Sequence, residues 1–205
     1  MPDFEQVYRR FFSDSAWLGK SLLGGLLLAI PILQFFAFGY FGRVIAEAKR
    51  HDSFEMPEWK HPGPLFVSGL AYFLLLLGLG GGLFLLAFIS SLPFRGWAGP
   101  LAFIPYIPAM LLSPPLVAAG WYRYNCSGEL VDGFRLTELF RLLQETGFPL
   151  LLPTLAFIGF LAATFPLFPL AFFVGGIVVL FYYSLLFRRT ETDDLRRIDL
   201  PFSVL

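Results

Sequence analysis

The sequence holds a single cysteine, two histidines and little charge for its 205 residues, with 15 basic and 15 acidic side chains making up 15% of the chain. Each shortage excludes something. Cys126 has no partner for an intramolecular disulfide, so no stapled fold is available; a small buried or interfacial position is expected for it. His51 and His61 fall short of a multi-histidine metal site unless carboxylates complete it. Glu55 and Glu58 lie close enough in sequence, but Pro57 would break the helix aligning them and the spacing matches no zinc signature. That segment reads as an ordinary solvated loop, and neither a metal nor a cofactor is expected. The even charge balance gives no reason to expect a nucleic-acid partner. No Gly-x-Ser-x-Gly, phosphate loop, His-Glu-x-x-His or dinucleotide fingerprint occurs, so an enzyme reading lacks a nucleophile paired with a base, and no catalytic residue is nominated.

Charge is missing above all from long runs. Residues 146–187 are forty-two consecutive positions without Asp, Glu, Lys, Arg or His. One helix of that length would run roughly 60 Å, about twice a bilayer's hydrocarbon core, so the run must fold back on itself. The place to turn is Thr164-Phe165-Pro166-Leu167-Phe168-Pro169, where Pro166 and Pro169 withhold amide donors. Two more uncharged runs, residues 62–94 and 96–122, are separated by Arg95 and predict a pair of spans. Residues 21–42 form a shorter one, broken by Pro31 and followed by the amide of Gln34. It is either a kinked single span or a re-entrant hairpin with Pro31 and Gln34 at its tip. With 57% hydrophobic and 19% aromatic residues, the composition is that of a polytopic membrane protein.

What is present between the runs sets the topology. Phe4, Val7, Tyr8 and Phe11 recur at helical spacing opposite Glu5, Gln6, Arg9 and Arg10, predicting an amphipathic helix in the headgroup plane within residues 1–16. Leu136, Leu139, Phe140 and Leu143 do the same against Glu138, Arg141, Gln144 and Glu145, and Gly147 is placed to end that helix. Three segments then share an order of features: an interfacial element, a proline-broken apolar hairpin, and an exit through aromatics into Arg43, Arg123 or Arg188. This predicts a threefold internal repeat. If Pro31 is a hairpin tip, every Lys and Arg except Arg95 falls on one side, fourteen against one, and the positive-inside bias puts both termini in the cytoplasm. If Pro31 is a kink, the division is four against eleven.

The expected architecture is therefore all-α: three proline-broken hairpins, the first short or re-entrant, with interfacial amphipathic helices. The membrane domain covers residues 17–187, with cytoplasmic loops at 43–64 and 123–147 and a fraying tail at 188–205. No signal peptide is expected, because Asp3, Glu5 and Asp14 precede the first apolar run and no small-residue cleavage site follows. Arg9, Arg10, Arg43, Lys49, Arg50, Trp59, Arg123 and Arg141 are candidates to meet lipid headgroups or a partner. Gly78 and Gly82 are candidates for close helix packing. Asn125-Cys126-Ser127 fits the glycosylation pattern by letter, on the side of the membrane where it would not be used.

One set of words carries a resemblance. Trp17-Leu18-Gly19-Lys20, then Ile30-Pro31-Ile32, Gly39-Tyr40, Arg43, Pro57-Glu58-Trp59, Phe66 and Ser68-Gly69-Leu70 resemble the bacterial and archaeal membrane family catalogued as domain of unknown function 4013. Gln34 stands where that family often has Asn. The resemblance implies a multi-helix protein of a prokaryotic inner membrane and brings no reaction with it. Two functional readings follow from the residues. The first is a non-enzymatic accessory or scaffold subunit that packs against lipids, other membrane subunits or itself. The second is a transport component for a neutral or lipid-like substrate, since ionisable residues at membrane depth are missing. A polar cavity reaching Gln34, Ser90, Ser113 and Thr164 would favour transport. An intramembrane enzyme would need Glu55, Glu58 and His61 folded into a pocket.

Overall fold

The computed structural model describes residues 4–51, 55–94, 96 and 99–198, and every regular element among them is helical. In chain order these are α1 (Phe4–Ser13), α2 (Trp17–Ala29), α3 (Gln34–Arg50), α4 (Pro62–Leu75), α5 (Gly82–Ser91), α6 (Tyr106–Ser127), α7 (Leu136–Thr146), α8 (Leu151–Ala163) and α9 (Phe168–Ile198). A π-helical stretch, Leu76–Gly81, joins α4 to α5, so that Pro62–Phe94 is one continuous apolar span. With Gly99–Ser127 and Phe165–Thr192 it makes three helices long and apolar enough to cross a bilayer. The protein is a helical membrane protein. A helix pair, Leu136–Thr146 and Phe148–Ala163, bends by 93° at Gly147. Gly147 sits at φ 65°, a conformation that glycine adopts freely.

The shorter helices form the outer two hairpins. Lys20 of α2 donates to the Met56 carbonyl at 2.8 Å and Tyr40 of α3 donates to the neighbouring Pro57 carbonyl at 2.7 Å. Residues on either side of Pro31 thus return to one loop, and the chain reverses at Ile30–Leu33. Ile32 is held there at φ 73°, a strained backbone for a β-branched residue. At 13 residues each, α2 and α8 are about 20 Å long, short of a roughly 30 Å core. The third turn lies at Thr164–Leu167 around Pro166. Pro169 instead occupies the first turn of α9, where its missing N–H has no helical acceptor to satisfy.

α9 is the mast of the bundle. Its apolar window is 78% buried, against 22% for Pro62–Phe94 and 33% for Gly99–Ser127, so the other two spans carry the lipid-facing surface. Phe173, Ile177, Phe181, Tyr183 and Phe187 on α9 are fully buried. Because lipid is as apolar as leucine, close packing rather than water exclusion must hold such helices together. The closest approach is between α3 and α4, where a Cβ on Gly39 would overlap the Leu65 carbonyl and one on Gly69 the Phe35 carbonyl. Gly24 and Gly25 similarly admit Phe173 and Leu170 to the face of α2.

Several sequence expectations need correction. Of the two candidates for close packing, Gly78 lies tight against the Phe134 ring, whereas Gly82 faces open space. Trp59 is half-buried and stacks on Tyr40, with centroids 4.3 Å apart, and on Phe173 at 5.9 Å. On α1, Phe11 and Val7 are buried and Phe4 packs edge-on against Tyr182, so this helix docks on α9 and leaves Tyr8 and Phe12 exposed. On α7 the buried face is Leu139, Leu142, Leu143 and Thr146, while Leu136 and Phe140 are exposed. The segment from Arg188 is a continuation of α9 as far as Ile198. The remainder of the expected tail at 188–205, residues 199–205, and Arg95 lie outside the described residues.

Candidate functional site

The charged ends of the helices gather at one end of the bundle. Arg188 Nη1 donates to the carbonyls of Ala48 and Lys49 at 3.0 and 3.2 Å, capping the last turn of α3 with a cation where its dipole is negative. Lys49 Nζ reaches the Asn125 carbonyl at 3.0 Å. Asn125 Nδ2 donates in turn to the Gly42 carbonyl and to Tyr72 Oη, both at 2.9 Å. Tyr122 Oη donates to Glu191 Oε2 at 2.8 Å, and Arg123 pairs with the other oxygen at 3.2 Å. Arg43 donates to the Glu58 carbonyl at 2.6 Å and also to that of Lys60.

Most of the basic residues expected to meet headgroups are thereby engaged within the chain. Arg43, Lys49 and Arg123 hold elements together, while Arg9 and Arg141 pair one turn away with Glu5 and Glu145. Arg10 and Arg50 are exposed. Arg10 also lines a polar cleft of about 530 Å³ with Asp14, Lys20, Glu47, Glu55 and Glu58. Within it the Ala16 backbone N–H, 2.8 Å away, and the Lys20 ammonium hold the Asp14 carboxyl below the usual carboxylate range, against a smaller opposing effect of burial. His61 does not line this cleft. His51 faces Glu47 at 3.7 Å, and no group of three or more His, Cys, Asp or Glu side chains placed to hold a metal ion occurs among the described residues.

The other end of the bundle is open inside. A cavity of about 410 Å³ lies between the Pro62–Phe94 span, α6, α8 and α9. Two of its walls carry helix irregularities and a third carries a glycine. One is the π-helical stretch, which contributes Leu76, Leu77, Gly80 and Gly81. Another is α6, which contributes Met110, Ser113 and Pro114; Pro114 and Pro115 have no N–H for the carbonyls of Met110 and Leu111. The third is α9 at Gly176, where the missing side chain leaves room for the Phe41 ring. Phe41 and Trp121 stack at 5.6 Å to close the bottom, and Trp121 Nε1 is spent on the Tyr72 carbonyl at 2.8 Å. Ser113 supplies the one hydroxyl among the lining side chains, and none of them is ionisable. Of the four positions named for a polar path, Ser113 lines the cavity and Gln34, Ser90 and Thr164 do not.

Chemically, such a chamber can hold an uncharged apolar molecule, and its volume falls in the range of roughly 300–1,000 Å³ usual for ligand sites. Its rim is exposed at Leu77, Phe84, Met110 and Phe168, all within the apolar spans, so it opens sideways at membrane depth. Sequence reasoning missed this site and also Asn125, Tyr72 and Arg188. The signals available were the Gly80-Gly81 and Pro114-Pro115 pairs, each a helix irregularity at facing depths.

Hairpins of broken helices tied at one charged end and hollow at the other define a multi-pass helical membrane protein with an intramembrane cavity. The family model described as protein of unknown function (DUF4013) matches residues 22–180, most of the chain and all of the cavity lining. The chain belongs to that family. No curated protein and no solved structure matches it.

Proposed function

We propose that this protein is a non-enzymatic membrane protein that takes a lipid-like, uncharged molecule into the cavity, to carry it or to hold it for other membrane components. The observation that carries this reading is the apolar chamber whose π-helical and proline-bearing walls converge at one depth. Irregular helix geometry of this kind is an expense in stability that recurs at functional sites. The lining supports an apolar occupant rather than a polar solute: one hydroxyl cannot replace a hydration shell, and ions or proton relays call for ionisable groups at membrane depth.

Purification in a mild detergent, followed by solvent extraction and mass analysis of what remains bound, tests it. The expected result is close to one apolar molecule retained per chain through extensive washing. A chain that retains none, with its fold intact, would sink the proposal. The accessory-subunit reading is supported by one separate observation, the exposed Val131, Leu136, Phe140 and Phe148 around α7 at the charged end. A stoichiometric protein partner in the same preparation would favour it. The prokaryotic inner membrane with cytoplasmic termini, and a re-entrant first hairpin, belong to this proposal; the gathering of Lys20, Arg43, Lys49, Arg123 and Arg188 at one end supports that orientation.

A further inference from the structure

Resting on that reading, we propose that the occupant is an acyl chain of a membrane lipid, inserted from the leaflet at the tip end, with its headgroup outside the cavity. Three observations carry this. The first is length. On α9 the lining runs from Phe168, beside the Pro166 turn, to Leu180, a rise of about 18 Å. That is a little over half of a roughly 30 Å core and matches the acyl region of one leaflet. The second is chemistry. Ser113 is the one hydroxyl in the lining and no lining side chain is ionisable, so the chamber suits hydrocarbon and gives a polar or charged group nothing to pair with.

The third is that the cavity is closed at one end only. Phe41 and Trp121 form the floor, and beyond it Tyr122, Tyr183 and Phe187 fill the bundle completely. Phe84, Met110 and Phe168 at the opposite end are each more than two-fifths exposed. A charged headgroup finds no counter-ion in the chamber, so it must stay at the tip-side surface while the methyl end of the chain points at Trp121.

Brominated phosphatidylcholines read this directly, because bromine quenches indole fluorescence at contact. The full chain carrying Trp17→Phe, Trp59→Phe and Trp97→Phe keeps Trp121 as its lone indole; it is reconstituted in phosphatidylcholine vesicles. Should that variant not fold, the difference between the unmodified protein and Trp121→Phe gives the same signal. Bromines near the methyl end of the chain are expected to quench Trp121 several-fold more than bromines near the headgroup. The effect should appear when only the tip-side leaflet is brominated and fall several-fold in Gly81→Leu. Stronger quenching by headgroup-proximal bromines, or by the other leaflet alone, would overturn the inserted chain and its direction while leaving retained lipid intact. Quenching unchanged in Gly81→Leu would mean contact with bulk lipid only. A protein that neither quenches nor retains lipid would overturn the reading beneath as well.

Discussion

At the charged end of the bundle, helices from all three hairpins are joined by bonds that reach far along the chain, such as Arg188 to Ala48 and Asn125 to Gly42, and the aromatic rings between them are fully buried. At the tip end the same spans part around a chamber, and the helices themselves are irregular, with a π-stretch on one and adjacent prolines on another. The difference teaches where the fold is held and where it is kept available. Polar groups at membrane depth are worth burying only when paired, and here the pairs are concentrated at one end. The other end has released its packing, which in a membrane is the term that stabilises helix association.

Substitutions at the two ends should therefore differ in kind. The largest effect is expected where backbones touch. Gly69→Leu would drive a side chain into the Phe35 carbonyl and should destabilise the protein by about 3 kcal/mol or more, read as loss of the folded fraction in denaturant titration of the micelle-bound protein. Next comes the polar tie. Asn125→Ala removes the bonds to Tyr72 Oη and the Gly42 carbonyl, while Lys49 keeps the backbone carbonyl at that position, and should cost about 1–3 kcal/mol in the same titration, without altering bound lipid at saturating amounts. Ser113→Leu puts an apolar side chain into the void, so its stability should change by less than about 1 kcal/mol while retained lipid falls severalfold, an outcome opposite to that of Asn125→Ala.

The smallest effect is in the polar cleft. The Asp14 carboxyl titrates below its unfolded value, so its contribution is present above the ordinary carboxylate range and is lost as pH falls through the folded value. Below about pH 4, amide exchange at the α1–α2 junction should quicken in the unmodified protein and stay flat in Asp14→Asn. Equal acid sensitivity in both would remove Asp14 from the account.

The sequence made the apolar runs, the proline breaks and the amphipathic α7 legible, because each is a local pattern of charge or periodicity. It did not make the neighbours legible. Gly-x-x-x-Gly spacing says that a backbone can be approached, not by what, and so Gly82 looked as much a packing position as Gly78, while the backbones meet at Gly39 and Gly69. Trp59 next to charged residues looks the same whether it faces headgroups or stacks on Tyr40. Arg188 read as the start of a tail because the carbonyls it caps lie 139 and 140 positions earlier. The cavity is a space bounded by five segments, α3 at Phe41 included, and no single stretch of sequence encodes it. Only its wall irregularities, Gly80-Gly81 and Pro114-Pro115, leave a local trace.

Two adjacent glycines give the most direct test of the central claim, that the hollow end binds an apolar molecule. Gly81 lines the cavity with room for added atoms, whereas Gly82 faces open space outside it. Native mass measurement of the unmodified protein, Gly81→Leu and Gly82→Leu from one detergent preparation compares the same chemistry at the two positions. The account predicts a retained lipid-sized adduct on the unmodified protein and on Gly82→Leu, and its loss from Gly81→Leu. An adduct kept equally by all three, or carried by none, would contradict it.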